Sequence, residues 1–268
     1  DDEDKTMKAN LTLNILGLKA LEGNYVYEGW MITSSGPVSS GVFTSTNFPQ
    51  IFSVDSDDLN NASAFVLSIE PANDTDPNPS DTKILQGDFL GNSASLTIDN
   101  VVGDFSTATG EFIMATPTDT NPDNDQNGIW FLNPTATPES AGLNLPTLND
   151  ASGWKYEGWV IVNDIPISTG TFLNPSDIDD FSPFSGNQNA PNFPGEDFLN
   201  SSVSPDGVMF PMDVRGKQVV ISIEPSPDND STPFFLKPLK GIAGQVTAPA
   251  LNTLSLNSAS FPIGNVAR

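Results

Sequence analysis

The 268-residue sequence contains no cysteine and no histidine. The chain therefore cannot form disulfides, ligate zinc or haem through thiolate or imidazole, or use a cysteine nucleophile or a histidine base. Basic residues are also scarce, since 10 Lys and Arg stand against 34 Asp and Glu, and the formal net charge is −24. A chain of this charge repels nucleic acids and anionic lipids, so we expect neither as a partner.

The sequence also has no long apolar run. No stretch approaches the roughly 18 consecutive apolar residues of a membrane helix, so we expect no direct membrane span. The chain starts with an acidic run and without an initiator Met, and we interpret it as a processed product whose targeting segment lies upstream. Residues 1–8 are predicted to form a disordered acidic tail. Alternatively, they resemble the tether that follows the lipidated cysteine of exported bacterial lipoproteins, with a lipid anchor upstream of residue 1.

The residues that are abundant favour turns. Of the 34 acidic residues 25 are Asp, and the chain has 23 Pro and 21 Gly. Asp competes with helices because its short side chain bonds the neighbouring backbone, and Pro and Gly interrupt regular elements. This composition predicts many short elements joined by short loops, with negligible helix.

An internal repeat organises the chain. Tyr-Glu-Gly-Trp at 27–30 recurs at 156–159, and nine of the 17 positions from 27 to 43 are identical at this offset of 129 residues. Ser-Ile-Glu-Pro at 68–71 returns at 222–225, an offset of 154. The second copy therefore has 25 more residues between its two blocks.

Within each copy the apolar pattern has a period of two, which is typical of strands. Many short strands separated by turn signals predict an all-β protein made of two tandem antiparallel β-sandwich domains. We place repeat 1 at 9–135 and repeat 2 at 136–268, with a linker at 133–142. The alternative is that the two copies share one pseudo-twofold sandwich.

The 25 extra residues fall in an insertion near 181–211 that is rich in Pro, Asn, Gly and Phe. Phe184, Phe193 and Phe198 belong to it, and so many rings are unusual in a freely solvated loop. We expect them either to pack on the sandwich or to form a patch that a partner covers, and we name these three as candidate partner-binding residues. The alternative role for the insertion is protection of a strand edge.

One loop has part of a calcium-binding pattern. Asp123, Asp125 and Asn127 supply oxygen ligands at alternate positions before Gly128, and Asp119 could complete the shell. The bidentate Glu of a complete calcium loop is missing, so this is a candidate calcium site only. The alternative is an Asp-rich turn that binds its own backbone.

Each copy carries two glutamates that a hydrolase could use as an acid and a base, Glu28 with Glu70 and Glu157 with Glu224. The alternative is that these side chains hold strand ends, and their duplication favours structure. We therefore predict that the protein is not an enzyme. Among the aromatics, equivalent Trp30 and Trp159 are predicted to fill cores, whereas Trp154 and Tyr25 have the opposite strand parity and are candidates for exposure in a glycan-binding platform.

The repeated blocks resemble the C-terminal extracytoplasmic domain of anti-sigma-K factors. That family combines a Leu-x-Gly-Leu strand, Tyr-Glu-x-Trp, a Pro-x-Ser-x-Gly-x-Phe hairpin and Ser-x-Glu-Pro. Both copies contain these landmarks, over roughly residues 11–98 and 143–257. The segments 193–199 and 260–264 look like those of secreted or lipoprotein tandem versions from marine Bacteroidetes-like bacteria.

The resemblance implies a β-sandwich outside the cytoplasm, in the periplasm, at the outer membrane or on the cell surface. Sigma-factor inhibition does not carry over, because the sequence contains neither a sigma-binding helical domain nor a membrane helix. The predicted function is a non-catalytic binding or scaffold protein of the cell envelope, with an envelope protein or a surface glycan as partner. The alternatives are a calcium-dependent adhesin or glycan-binding module and, last, a carboxylate-pair hydrolase.

Overall fold

A computed structural model describes residues 7–227 and 230–268, so most of the predicted N-terminal tail lies outside the described residues. Within them the chain forms 19 strands and one α-helix. The strands are β1 (Lys8–Leu16), β2 (Tyr25–Thr33), β3 (Gly36–Phe43), β4 (Gln50–Asp55), β5 (Ala64–Pro71), β6 (Lys83–Asp88), β7 (Ser93–Leu96), β8 (Thr109–Phe112), β9 (Gly128–Trp130), β10 (Leu132–Asn133), β11 (Ser140–Ala141), β12 (Leu143–Asn144), β13 (Trp154–Val162), β14 (Ile165–Phe172), β15 (Gly195–Asp197), β16 (Gln218–Pro225), β17 (Leu239–Ile242), β18 (Asn252–Leu256) and β19 (Ile263–Ala267). The helices are α1 (Ser56–Asn61) and the 3-10 turns Asp125–Asn127, Asp150–Ser152, Ser201–Val203 and Ser258–Ser260.

The strands pair antiparallel throughout, which confirms the all-β prediction. Strand β1 shows the two-residue period, because Leu11, Leu13 and Ile15 are buried whereas Asn14 and Leu16 are exposed. Alternate side chains of a strand point to opposite faces, so this pattern buries one face of the sheet. No helix in the described part of the chain is long and apolar enough to cross a membrane.

Many of the Asp residues bind backbone at turns, as their abundance predicted. Asp55 caps α1 by accepting from the backbone N–H groups of Asp57 and Asp58 at 2.9 and 3.2 Å. Asp213 accepts from the backbone N–H of Arg215 at 3.0 Å and from its guanidinium. These short-range contacts satisfy backbone donors that no strand partner reaches.

The chain divides into two compact units. Unit 1 contains the described residues up to Asp104, with Ala151–Gly153 and Phe261–Arg268. Unit 2 contains Phe105–Asp150 and Trp154–Ser260.

Unit 1 is built from two four-stranded sheets with the orders β4-β1-β19-β7 and β3-β2-β5-β6. The C-terminal strand β19 lies between β1 and β7, so the two ends of the chain meet in one sheet. Phe43 of the second sheet packs against Phe52 of the first at 5.7 Å between ring centroids. A bridge between Gln86 and Thr97 joins the sheets at their other side.

Unit 2 contains a seven-stranded sheet with the order β12-β8-β18-β17-β16-β13-β14. The remaining strands form the pairs β15-β9 and β10-β11. The predicted insertion is therefore not entirely loop, because its segment β15 pairs with β9. The segment 133–142, predicted as a linker, instead takes part in the β10-β11 hairpin of unit 2.

The structural division does not follow the sequence repeat at its edges. Residues 105–135, which the sequence placed in repeat 1, belong to unit 2, because β8 pairs with β12 and β18. Strand β19, which the sequence placed in repeat 2, belongs to unit 1. Both exchanges rest on pairing between strands that lie far apart in the sequence, and local pattern carries no information about such partners.

The last residue holds the C-terminal strand of unit 1 in place. The Arg268 guanidinium donates to the carbonyls of Leu59, Ala62 and Gly91 at 2.9 Å or less and lies 4.4 Å from the centre of the Phe89 ring. Charge-assisted hydrogen bonds of this kind are the stronger ones in proteins.

We predict that Arg268→Ala lowers the free energy of unfolding by about 2 kcal/mol, because several carbonyls lose a charged donor at once. The measurement is urea denaturation followed by tryptophan fluorescence. Arg215→Ala is the matched control, because Arg215 is 40% exposed and pairs with Asp213 two residues away. It should change stability by less than about 0.5 kcal/mol, and equal effects of the two substitutions would contradict the prediction.

Candidate functional site

The two units share a four-stranded core with the same strand order, β3-β2-β5-β6 in unit 1 and β14-β13-β16-β17 in unit 2. The strand register is also the same. Each copy has a β-bulge after the glycine of Tyr-Glu-Gly-Trp, between Gly29 and Trp30 and between Gly158 and Trp159. A side chain at Gly29 would come within 2.7 Å of the Phe65 ring, and one at Gly158 within 2.9 Å of the Phe131 ring, which lies outside the repeated blocks. The glycine is therefore required by close packing at the bulge.

A chain of hydrogen bonds joins the two repeated blocks in each copy. In unit 1 the Trp30 indole donates to the Ser68 hydroxyl at 2.8 Å, and that hydroxyl donates to Glu70. In unit 2 the indole of Trp159 donates to Ser222 at 2.7 Å, and Ser222 donates to Glu224.

The glutamate at the end of this chain then accepts from a backbone N–H ten residues along the sequence. Glu70 accepts from Ser80 at 2.8 Å, and Glu224 accepts from Phe234 at 3.0 Å. Both glutamates are about 1% exposed. A buried carboxylate that accepts from a hydroxyl and a backbone N–H ties the strand end to the following loop.

The glutamates of Tyr-Glu-Gly-Trp have equivalent partners too. Ser39 donates to Glu28 and Ser168 donates to Glu157, each across the β-bulge. The same serines accept from the backbone N–H of Gly41 and Gly170, at 3.1 and 3.0 Å. All four glutamates considered for acid–base chemistry therefore make contacts that recur in both copies.

The two copies differ in the insertion, whose rings mostly pack inside unit 2. Phe184 and Phe198 are buried and contact each other at 6.1 Å, and Phe193 is half-buried against the core cluster that contains Trp130. These three candidate partner-binding residues therefore expose little surface. Phe181 is different, because it is 42% exposed while its ring stands edge-on to Phe184 at 6.1 Å.

Three carboxyl groups in the insertion and just before it lie among the hydrogen-bond donors of unit 2, with Glu196 and Asp197 fully buried and Asp179 partly buried. Asp197 accepts from the Trp130 indole at 2.7 Å and from the backbone N–H of Thr118 at 2.8 Å. Asp179 accepts from the backbone N–H of Gly195 at 2.8 Å, and the Ser185 hydroxyl donates to Glu196. Sequence reasoning missed this cluster, because Asp179, Glu196 and Asp197 meet only when the insertion folds back.

Burial raises the pKa of each of the three groups. It raises the pKa of Asp179 and of Asp197 to about 6, against the hydrogen bonds that stabilise their charged forms. It raises the pKa of Glu196 to about 8, and the negative charges of Asp179 and Asp197 add to the effect. The second oxygen of Glu196 accepts no hydrogen bond. A carboxylate that is buried with an unpartnered oxygen favours its protonated form.

The predicted calcium loop is held by bonds within itself. Asp125 accepts from the backbone N–H of Thr116 at 3.1 Å, and Asp119 accepts from the Asn124 amide at 2.7 Å. Asn127 is buried, and the backbone N–H of Asp123 donates to an asparagine two residues earlier. Within residues 7–227 and 230–268, no three acidic side chains are grouped so that they could hold a metal ion. Calcium binding here stays a prediction.

The expected exposure of Trp154 is wrong. Trp154 is fully buried and packs against Phe234 at 5.9 Å, whereas Tyr25 at the start of β2 is 47% exposed. Strand β13 is covered on both faces, so the opposite parity of Trp154 and Trp159 does not separate an inner from an outer residue.

An open cleft of about 380 Å³ lies on unit 2, between the β13-β14 hairpin and the insertion. Phe181, Phe184 and Pro205 line it together with residues of β13 and β14. The acidic residues Glu157, Asp180 and Asp230 also line it. This cleft is our candidate functional site, because it combines an exposed ring with several acids.

Asp180 is held in position at the cleft edge. Its carboxylate accepts from the Thr171 hydroxyl at 2.6 Å and from the Lys155 ammonium at 3.3 Å. Partial burial acts against ionisation of Asp180, but the hydrogen bonds from Thr171 and Lys155 outweigh it and lower the pKa. The group therefore keeps its negative charge at neutral pH.

Comparison with known families finds one match within the first repeat. The family described as anti-sigma-K factor rskA, C-terminal, matches residues 4–83. The matched region contains Tyr-Glu-Gly-Trp and Ser-Ile-Glu-Pro of the first copy, so the family resemblance is confirmed for this part of the chain. The match does not extend to the second copy. No curated protein and no solved structure matches the chain.

We predict that Trp30→Phe and Trp159→Phe each lower the free energy of unfolding by about 1–3 kcal/mol, because each removes the donor to a buried serine. Urea denaturation followed by circular dichroism measures the change. Tyr25→Phe is the control, because the Tyr25 side chain is exposed. If only one of the two tryptophan variants is destabilised, the equivalence of the two networks is wrong.

We also predict that the protein is less stable at pH 8 than at pH 5. The folded state holds protons on Asp179, Asp197 and Glu196 more tightly than the unfolded chain, because burial raises these pKa values. The stability that this supplies is complete below about pH 4 and is lost as the pH rises through 6 for the aspartates and 8 for Glu196.

Urea denaturation at pH 5, 6, 7 and 8 measures this dependence. Glu196→Gln should reduce the loss between pH 5 and pH 8 by about 1–3 kcal/mol, since the amide does not ionise. Glu139→Gln is the control, because Glu139 is exposed, and it should leave the slope unchanged. An unchanged slope in Glu196→Gln would contradict the assignment.

Proposed function

We propose that this protein is a non-catalytic binding or scaffold protein that works outside the cytoplasm. The observation that carries the proposal is the match of residues 4–83 to the C-terminal domain of anti-sigma-K factors. Anti-sigma factors act on another protein, which supports a protein as the kind of partner.

The geometry of the repeated glutamates supports the non-catalytic part of the proposal. Glu28 and Glu157 each accept from the serine across the bulge, and Glu70 and Glu224 each accept from a buried serine and a loop N–H. Contacts that recur in both copies serve the strand architecture that both copies share. Fold by itself warrants no chemistry, so no reaction is assigned to the protein.

We assign partner binding to the insertion, because it is the part of the chain that distinguishes the second copy from the first. Unit 2 carries the insertion and, between it and the β13-β14 hairpin, the cleft with its exposed Phe181. Binding sites are concave surfaces with a few placed polar groups, and this cleft meets that description. Location at the cell envelope completes the proposal. Calcium is not required by it.

Fractionation of cells that naturally produce the protein tests the proposal. We expect the protein in the envelope or periplasmic fraction and, after cross-linking of intact cells, in a discrete adduct with one other protein. Recovery with a cytosolic marker, or a chain that forms no adduct in any fraction, would contradict it.

A calcium titration separates the proposal from its nearest alternative. In the binding protein we propose, millimolar calcium leaves the melting temperature unchanged relative to EDTA. A calcium-dependent adhesin would instead melt several degrees higher, because a ligand that binds the folded state stabilises it.

A further inference from the structure

We propose that the unit 2 cleft binds a polypeptide segment in which an arginine or lysine is flanked by apolar side chains. The inference rests on the proposed function and names the chemistry of its partner. It is carried by the exposed ring of Phe181, the acidic residues beside it and the apolar residues that line the cleft.

The cleft offers apolar surface for the flanking side chains. Pro166 and Ile167 of β14 and Pro205 of the insertion line it. Phe181 is exposed, and its ring contacts Phe184 edge-on. An exposed aromatic ring is a ready contact surface, because few rotatable bonds have to be ordered when it binds.

The charge of the cleft selects a cationic ligand. The exposed Asp180 and Asp230 and the largely buried Glu157 line it, and the whole chain carries a formal net charge of −24. Lys155 contacts Asp180 at 3.3 Å, but Asp180 keeps its negative charge, and an ion pair of this kind is weak. An arginine guanidinium in the cleft can pair with a carboxylate and stack on the Phe181 ring at the same time.

The first copy lacks these features at the equivalent position. Gly41 and Gly170 correspond in the two hairpins, and a side chain at Gly41 would meet the Phe52 ring, whereas one at Gly170 would meet the Asp179 carboxylate. Unit 1 continues into strand β4 at this point, and unit 2 continues into its acidic insertion. We therefore assign the ligand to unit 2 alone.

The lining favours a cationic peptide over a neutral glycan. Trp154 and Trp159 are buried, which leaves Phe181 as the exposed ring of the cleft, and phenylalanine has no hydrogen-bonding group for a sugar hydroxyl. A neutral sugar can donate hydrogen bonds to the carboxylates, but only a cationic group also gains an ion pair from the net negative charge of the site.

The test uses a capped pentapeptide, Ala-Leu-Arg-Leu-Ala, and its counterpart with citrulline in place of arginine. Citrulline has nearly the same shape without the charge. NMR titration of the isotope-labelled protein should show amide shifts at Ser168, Thr171 and Phe181, and the arginine peptide should bind at least about tenfold more tightly. Raising the salt from 50 to 500 mM should weaken its binding further.

Two variants locate the site. Phe181→Ala removes an exposed ring, and Asp180→Asn removes one charge at the cleft edge, so each should weaken binding of the arginine peptide by about fivefold or more. Tyr25→Ala is the matched control, because it removes an exposed ring from unit 1. Circular dichroism confirms that each variant is folded, and the Tyr25→Ala protein should bind as tightly as the parent.

Three results would overturn the inference: equal binding of the citrulline peptide, shifts confined to unit 1, or tight binding of cellopentaose in the cleft. A protein that stays at the envelope and cross-links to a partner, but ignores the arginine peptide, would contradict the cleft assignment alone. Recovery in the cytosol without a cross-linked partner would contradict the proposed function instead.

Discussion

The structure depends on one constraint, which is that the central strands of each copy are buried on both faces. In a sheet with one solvent-exposed face, polar side chains can form hydrogen bonds with water. Strands that are buried on both faces do not have that option. The serine and glutamate of Ser-x-Glu-Pro must therefore find partners within the protein, and they find the tryptophan indole and a loop N–H. The two repeated blocks are thus the two halves of one hydrogen-bonded chain, which explains why they recur together.

The acids of the insertion in unit 2 are stabilised in a different way from the repeated glutamates. The insertion brings the buried Glu196 and Asp197 close to the partly buried Asp179 and, among the described residues, places no cation against them. The protein has only 10 basic residues. Hydrogen bonds from backbone, serine, threonine and tryptophan compensate part of the desolvation, and protonation supplies the rest. Phe181 and Asp180, next to these acids in the sequence, line the cleft. The same part of the chain therefore contributes both the buried acids and the lining of the candidate site.

The residue pattern along the sequence predicted those features that depend only on neighbouring residues. The two-residue period predicted the strand β2, a run of β-branched residues predicted β16, and the abundance of Asp indicated turns such as the one at Asp55. It failed where the outcome depends on distant partners. The segment 133–142 reads as a linker because of its prolines and small residues, yet Leu132 pairs with Ala141 in a hairpin. Trp154 was misplaced because strand parity assumes one wet face, and β13 has none.

The sequence by itself determined the β class, the duplication and the position of the insertion, because each follows from periodicity, identity at a fixed offset or a change in spacing. Only the tertiary structure decided which strands share a sheet, since β8 and β19 join units away from their sequence neighbours. It also decided the roles of the acids. A carboxylate can hold a strand end, be buried with a raised pKa, or carry a negative charge at the cleft. Which of these it does depends on the hydrogen-bond donors around it, and those donors come from segments far away in the chain.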